Sequence, residues 1–232
     1  MSFKDGDFVK VEYSAWRGSD GSLAYTTDKS VAEKNGASTE GNTYGPRLVV
    51  IGKNTIIKGA EKAITEMNVN ETKKVEIEPQ DAFGERDSAL VRVMHVADFR
   101  KRDIEPHAGM QVDLDGNIAT ITSVNSGRVT VDLNHVLAGE KLTYEIKVVE
   151  KVDAPDAKVS ALAKMSSLDP SAVKVSGSSA EVSFNEKTEK DANYFINKSA
   201  MVNSILRYMP DISKVLVNEE YTRQKENAPA NA

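Results

Sequence analysis

The chain has no cysteine, a single tryptophan and only three histidines in 232 residues. Disulfides, thiolate nucleophiles and cysteine-built zinc sites are therefore excluded. His95, His107 and His135 share no metal-ligand spacing, so each reads as a structural or surface residue, and no metal or other cofactor is expected. Neither charge sign dominates. With 30 Lys and Arg against 35 Asp and Glu the net charge is −5, whereas nucleic-acid binders generally carry a basic face. Nucleic acid is not an expected partner. Long apolar runs are missing too: stretches such as Leu48–Ile51 fall far short of the roughly 20 residues that cross a bilayer. The opening Met-Ser-Phe-Lys-Asp-Gly-Asp shows no basic segment followed by an apolar run. No membrane association is expected, and the cytoplasm is the expected compartment.

What is present, 40% hydrophobic and 28% charged residues, suffices for two or three compact units. Phe8, Val9, Val11 and Tyr13 follow strand periodicity. Asp20-Gly21 is hairpin chemistry, followed by an extended piece from Leu23 to Thr27. Residues 28–46 read as a long loop holding a short helix, Ser30 to Asn35. A strand (Leu48–Ile51), a helix opened by Gly59 and a strand (Lys73–Glu78) complete an antiparallel sheet with one helix on it. Residues 87–133 change character: a strand at Val91 and Val93, a helix from Val96 to Lys101, then strands at Gln111–Leu114, Ile118–Val124 and Arg128–Leu133. Asp115-Gly116-Asn117 and Asn125-Ser126-Gly127 join these last three. Leu142, Tyr144, Ile146 and Val148 alternate as one more strand of the first type.

After Val152 the run Asp153–Asp156 reads as a linker, followed by helix, two strands, helix and strand. In the second helix Thr188 and Asp191 are spaced like a capping box. Ala192, Phe195, Ser199, Val202, Leu206 and Met209 make its apolar face, Pro210 ends it, and Ile212–Val217 is the last strand. The tail from Gln224 is expected to be disordered.

Three motifs carry a resemblance. Ile51-Gly52-Lys53-Asn54-Thr55-Ile56-Ile57-Lys58-Gly59-Ala60-Glu61 and Ile77-Glu78-Pro79-Gln80-Asp81-Ala82-Phe83-Gly84 resemble the two signatures of FKBP-type peptidyl-prolyl isomerases. The run from Asn134-His135-Val136-Leu137-Ala138-Gly139 to Leu142-Thr143-Tyr144 resembles the corresponding part of the SlyD-type and archaeal long members. The resemblance covers residues 1–152. It implies an α+β fold: an FKBP-like antiparallel half-barrel with one helix (residues 1–86 and 134–152), an inserted small β domain at 87–133, the "insert-in-flap" that grips unfolded chains, and a C-terminal α/β domain at 153–232. The implied activity is isomerisation of Xaa-Pro bonds in unfolded or proline-containing polypeptide clients.

That reaction needs no nucleophile. Rotation about the amide crosses about 18–20 kcal/mol because resonance must be broken, and an apolar, water-poor cleft favours the twisted, less charge-separated amide. By the resemblance Tyr13, Ile56, Ile57, Phe83 and Tyr144 line this catalytic cleft, with the Ile57 N–H facing a substrate carbonyl. Tyr25 takes the place of the family's aspartate, so restoring aspartate is expected to raise the rate. Ala24 and Ala60 replace bulkier wall residues and, with Leu137, complete the substrate-binding surface. Val91, Val93, Val96 and Phe99 are the insert's expected client contacts. Arg100-Lys101-Arg102 reads as a solvated helix end. A homodimer through residues 153–232 is expected, with Ile205 and Tyr208 supplying contact beyond the helix stripe. Two other readings compete: a holdase with a decayed isomerase site, favoured by Ala24, Tyr25 and Ala60, and an assembly protein whose C-terminal helix exposes a large apolar patch.

Overall fold

The computed structural model describes residues 2–185 and 189–222, arranged around three sheets. The first rests on β1 (Phe8–Arg17) and β9 (Leu142–Val152), antiparallel along the whole of β1. Here β4 (Thr72–Ile77) pairs with the far edge of β9, while β2 (Leu23–Thr26) and β3 (Arg47–Val50) share the other edge of β1. Between them lie α1 (Lys29–Lys34) and α2 (Lys58–Thr65). Ala60, Ala63 and Ile64 of α2 and the following Met67 bury against Val9, Val11, Ile146 and Val148 of the sheet. A Cβ on Gly59 would collide with the Ile77 side chain, so glycine lets α2 lie close on β4.

The second sheet belongs to the insert: β5 (Val91–His95), α3 (Val96–Arg100), β6 (Gln111–Leu114), β7 (Asn117–Asn125) and β8 (Arg128–Asp132), in the order β5-β8-β7-β6. Both hairpin turns have consecutive positive φ angles, 57° and 86° at Asp115-Gly116 and 47° and 78° at Ser126-Gly127. That is the turn geometry that matches strand twist, and it explains why these dipeptides mark the hairpins. The insert has its own core of Phe99, Val112, Ala119, Ile121, Val129 and Val131. Phe99, 1% exposed, is a core residue of the insert, so its side chain is not available for the expected client contact.

The third sheet carries α4 (Pro155–Met165), β10 (Ala172–Ser176), β11 (Ser179–Phe184), α5 (Ala192–Tyr208) and β12 (Lys214–Glu219). Strands β10 and β11 are antiparallel, whereas β11 and β12 are parallel with α5 as the crossover, as a parallel pair requires. The α+β class with an α/β C-terminal part is thus the observed architecture. Among the described residues no helix is long and apolar enough to cross a membrane.

Four details depart from expectation. Asp191 is not the inner partner of a capping box; it is itself the N-cap of α5, accepting from the Tyr194 N–H at 2.8 Å. Thr188 lies outside the described residues, as does the tail from Gln224. The buried face of α5 is Tyr194, Met201 and Ile205, leaving Phe195 and Leu206 exposed. Ile205 is therefore core and not free for a partner, while Tyr208 is partly buried against the same core. Finally, the linker is short. Pro155 opens α4, where its missing N–H costs nothing, and the Asp156 carboxylate accepts from the Val175 N–H at 2.6 Å. Val159, Leu162 and Ala163 of α4 join Phe8, Val50 and Val152 of the first sheet in one core cluster.

Candidate active site

The first sheet builds an aromatic cluster by register. Tyr25 on β2 lies opposite Ala15 on β1, Ala15 opposite Tyr144 on β9, and Tyr144 opposite Val75 on β4. These four residues form one row across the sheet on a single face. Ala15 is small, so the flanking rings meet over it: Tyr25 and Tyr144 pack edge to face with centroids 5.6 Å apart. Two residues along β1, Tyr13 meets Tyr25 at 5.8 Å and Tyr144 at 6.0 Å. The strand β2 is held in this register by Thr27, whose N–H donates to the Tyr13 carbonyl and whose hydroxyl oxygen accepts from the Tyr13 N–H, both at 2.9 Å.

Phe83 closes the cluster at 6.5 Å from Tyr25 and stacks on His135, with ring planes 3° apart and centroids at 4.1 Å. The Gly139 N–H donates to the Gly84 carbonyl at 2.8 Å, so the second and third motifs are joined directly beneath this stack. His135 also accepts at Nδ1 from the Leu137 N–H. On the remaining side Thr55 bonds both backbone groups of Val50 and closes the turn into Ile56-Ile57. Ile57 is the N-cap of α2, and its N–H donates to no backbone group of the described chain. An N-cap position leaves such a donor for another acceptor.

Tyr13, Ala24, Tyr25, Ile56, Ile57 and Phe83 are half-buried around the fully buried Ala60, Leu137 and Tyr144. Ala60, Leu137 and Tyr144 are buried, so they support the cluster and offer no surface for the expected substrate contact, which leaves the six half-buried residues. Burial pushes the Tyr25 phenol up, with Tyr13 adding to the effect, so it is a neutral ring throughout the physiological range. Burial also pushes the Tyr13 phenol up, partly offset by the nearby Arg47 charge. Asp28 takes no part. Its carboxylate caps α1 by accepting from the Ser30 and Val31 N–H groups, and the Ser30 bonds hold its pKa below the usual carboxylate range. Among the described residues no group of three or more His, Asp or Glu is placed to hold a metal ion.

The insert is attached to this cleft through a polar neck. Arg86 pairs with the buried Asp132, Asn134 donates to the same carboxylate at 2.7 and 2.8 Å, and Asp87 and Asn134 exchange two bonds of 2.9 Å. The Asn134 of the third motif thus secures the insert. Val91, Val93 and Val96 stand apart from the cleft, on the insert. Val93 is 64% exposed and Ile118 61%, while Val96 is partly packed into the insert's core. His135, Ala15 and Arg47 are site residues that the sequence reading did not single out. His135 sat inside a quoted motif, but its stacking partner is 52 positions away.

An antiparallel sheet with α2 packed on it and a half-buried ring cluster beside the Ile57 N–H is the arrangement expected of the class of FKBP-like prolyl isomerases. The comparisons agree. A family model described as the FKBP26 IF domain matches residues 92–137. The short-type peptidyl-prolyl cis-trans isomerase of Methanocaldococcus jannaschii is 37% identical over 145 residues, 62% of this chain and 91% of that one. The SlyD isomerase of Helicobacter pylori is 34% identical over 109 residues, 45% of this chain and 58% of its own length. The FKBP-type 16 kDa isomerase of Escherichia coli is 28% identical over 119 residues, 49% of this chain and 79% of its own. The chain belongs to the FKBP-type peptidyl-prolyl cis-trans isomerases, of the SlyD-like kind, and peptidyl-prolyl isomerisation is its activity.

Proposed function

We propose that the protein is a folding catalyst in which the insert captures exposed apolar segments of unfolded chains and the cleft isomerises their Xaa-Pro bonds. The observation that carries this reading is the joining of Tyr13, Tyr25, Phe83 and Tyr144 into one half-buried ring cluster next to the free Ile57 N–H. A proline ring enters the cluster, water is displaced, and the twisted amide gains over the planar one because its charge separation is smaller. The Ile57 N–H holds a substrate carbonyl without changing charge. Tyr25 contributes an aromatic wall. Capture is assigned to the solvent-facing Val93 and Ile118 and to the partly buried Val91 and Val96 of the insert. The proposed compartment is the cytoplasm, and the chain, lacking cysteine, requires no oxidising environment.

Two assays on one preparation test this. At substoichiometric concentration the protein is expected to accelerate proline-limited refolding, and near stoichiometry to suppress aggregation of an unfolded protein. Suppression without acceleration would favour the holdase reading.

Homodimerisation through residues 153–232 remains part of the proposal, with different residues from those first expected. Phe195 (46% exposed), Ile196 (66% exposed), Leu206 and Leu216 supply apolar surface on α5 and β12. Light scattering is expected to give a dimer for the full chain and a monomer for a chain ending at Val152. The shortened chain uncovers Phe8, Val50 and Val152. It is therefore expected to lose about 5 kcal/mol in denaturant unfolding, at roughly 1.5–3 kcal/mol for each fully buried side chain. A full-length monomer at tens of micromolar would remove the dimer.

A further inference from the structure

A cavity of about 820 Å³ opens beside the cleft, within the size range of ligand pockets. Tyr13 and Ile56 line this cavity and also belong to the half-buried surface of the ring cluster, so the two sites share these residues. One wall is the loop from Thr43 to Arg47 and the start of β3, anchored by the Gly45 N–H donating to the Thr27 carbonyl at 2.8 Å. The opposite wall comes from another domain: Ala157, Ser160, Ala161, Lys164 and Met165 of α4. Ala157, Ser160 and Ala161 lie at helical spacing on one face, and their small side chains leave the space open. Three cations and no carboxylate line the cavity, although the whole chain is net negative. Lys10 is already paired with Glu150 at 2.6 Å. Arg47 donates to the Thr43 carbonyl at 2.8 Å and its charge is felt at the Tyr13 phenol, which places it at the junction with the cleft. Lys164 of α4 lines the same cavity.

We propose that this cavity is a second substrate subsite, in which client residues flanking the proline lie between β3 and α4 and an acidic side chain is preferred. The inference rests on the proposed function above. It gives the C-terminal domain a direct part in substrate choice, because the wall opposite the cleft belongs to α4. The occupant is an extended polypeptide: the cavity shares Tyr13 and Ile56 with the ring cluster, and its apolar lining of Tyr13, Leu48, Ile56 and Met165 suits side chains as well as charge.

The test uses the full chain and short proline peptides that share one core and carry Glu or Lys two to four residues from the proline, on either side. Both kcat/KM for isomerisation and Kd by calorimetry are measured. On the favoured side Glu is expected to exceed Lys by about tenfold in both readouts at low salt, with the ratio shrinking as salt rises. Lys164→Glu is expected to abolish or reverse that preference, and Ala157→Trp to weaken binding of the long peptides. Neither should alter the rate on the uncharged core peptide. Equal treatment of Glu and Lys peptides by the wild-type protein, or an unchanged ratio in Lys164→Glu, would overturn the subsite. A Lys164-dependent preference in Kd without any isomerisation would sustain the subsite and count against the proposed function.

Discussion

Replacing Ser88–Val131 by a short glycine-rich loop is expected to leave a folded protein with nearly full activity on a proline tetrapeptide. On a proline-limited refolding protein the same variant should be about 100-fold slower, the low end of the gain from tethering a second binding site. Three observations support this separation. The insert buries Phe99, Ile121, Val129 and Val131 among themselves, so its removal opens no cavity in the first domain. Its two ends are already fastened to each other by the pairs Arg86–Asp132 and Asp87–Asn134, so a short loop can close the gap. The cleft rings Tyr13, Tyr25, Phe83 and Tyr144 all lie outside the excised stretch. Equal losses on both substrates would show that capture does not reside in the insert.

Tyr25 supplies the second large effect, and here the geometry reverses the expectation drawn from the family pattern. Tyr25→Asp is expected to lower tetrapeptide kcat/KM about tenfold or more, and Tyr25→Phe to stay within a few-fold of wild type. Aspartate loses three ring contacts, with Tyr13, Tyr144 and Phe83, each worth about 0.5–1.5 kcal/mol beyond area burial. It also places a carboxylate where desolvation already pushes the phenol up, and a desolvated acid works against an apolar cleft. A faster Tyr25→Asp variant with an intact fold would mean that this site lacks an acid rather than employing a ring.

Much of this molecule can be read from its residues because strands and hairpins declare themselves locally. The two-residue alternation in β1 and β9 and the positive-φ dipeptides at Asp115-Gly116 and Ser126-Gly127 need no tertiary information. The aromatic row is different. Tyr25 touches Tyr144 only because both register against Ala15, and register across 119 residues is not written in either strand. The buried face of α5 differs from the one its spacing suggests for a related reason. Its apolar residues run almost all round the helix, so spacing admits two stripes. The one that won has Tyr194 donating to Glu219 at 2.8 Å, with Lys198 bound to the same carboxylate. Nor could the sequence show that α4 faces Tyr13 and Arg47, since that wall exists only once two domains share the core around Phe8 and Val50.

The central claim is that the ring cluster beside Ile57 is where the prolyl bond turns. NMR exchange spectroscopy on a short Xaa-Pro tetrapeptide, with the protein isotope-labelled, tests it most directly. Substoichiometric protein should produce cis–trans exchange peaks absent from the peptide alone. The peptide should shift the resonances of Tyr13, Tyr25, Ile56, Ile57 and Phe83, with the Ile57 N–H moving most as it takes up a carbonyl. Absence of exchange, or shifts confined to the insert around Val93 and Ile118, would contradict the account.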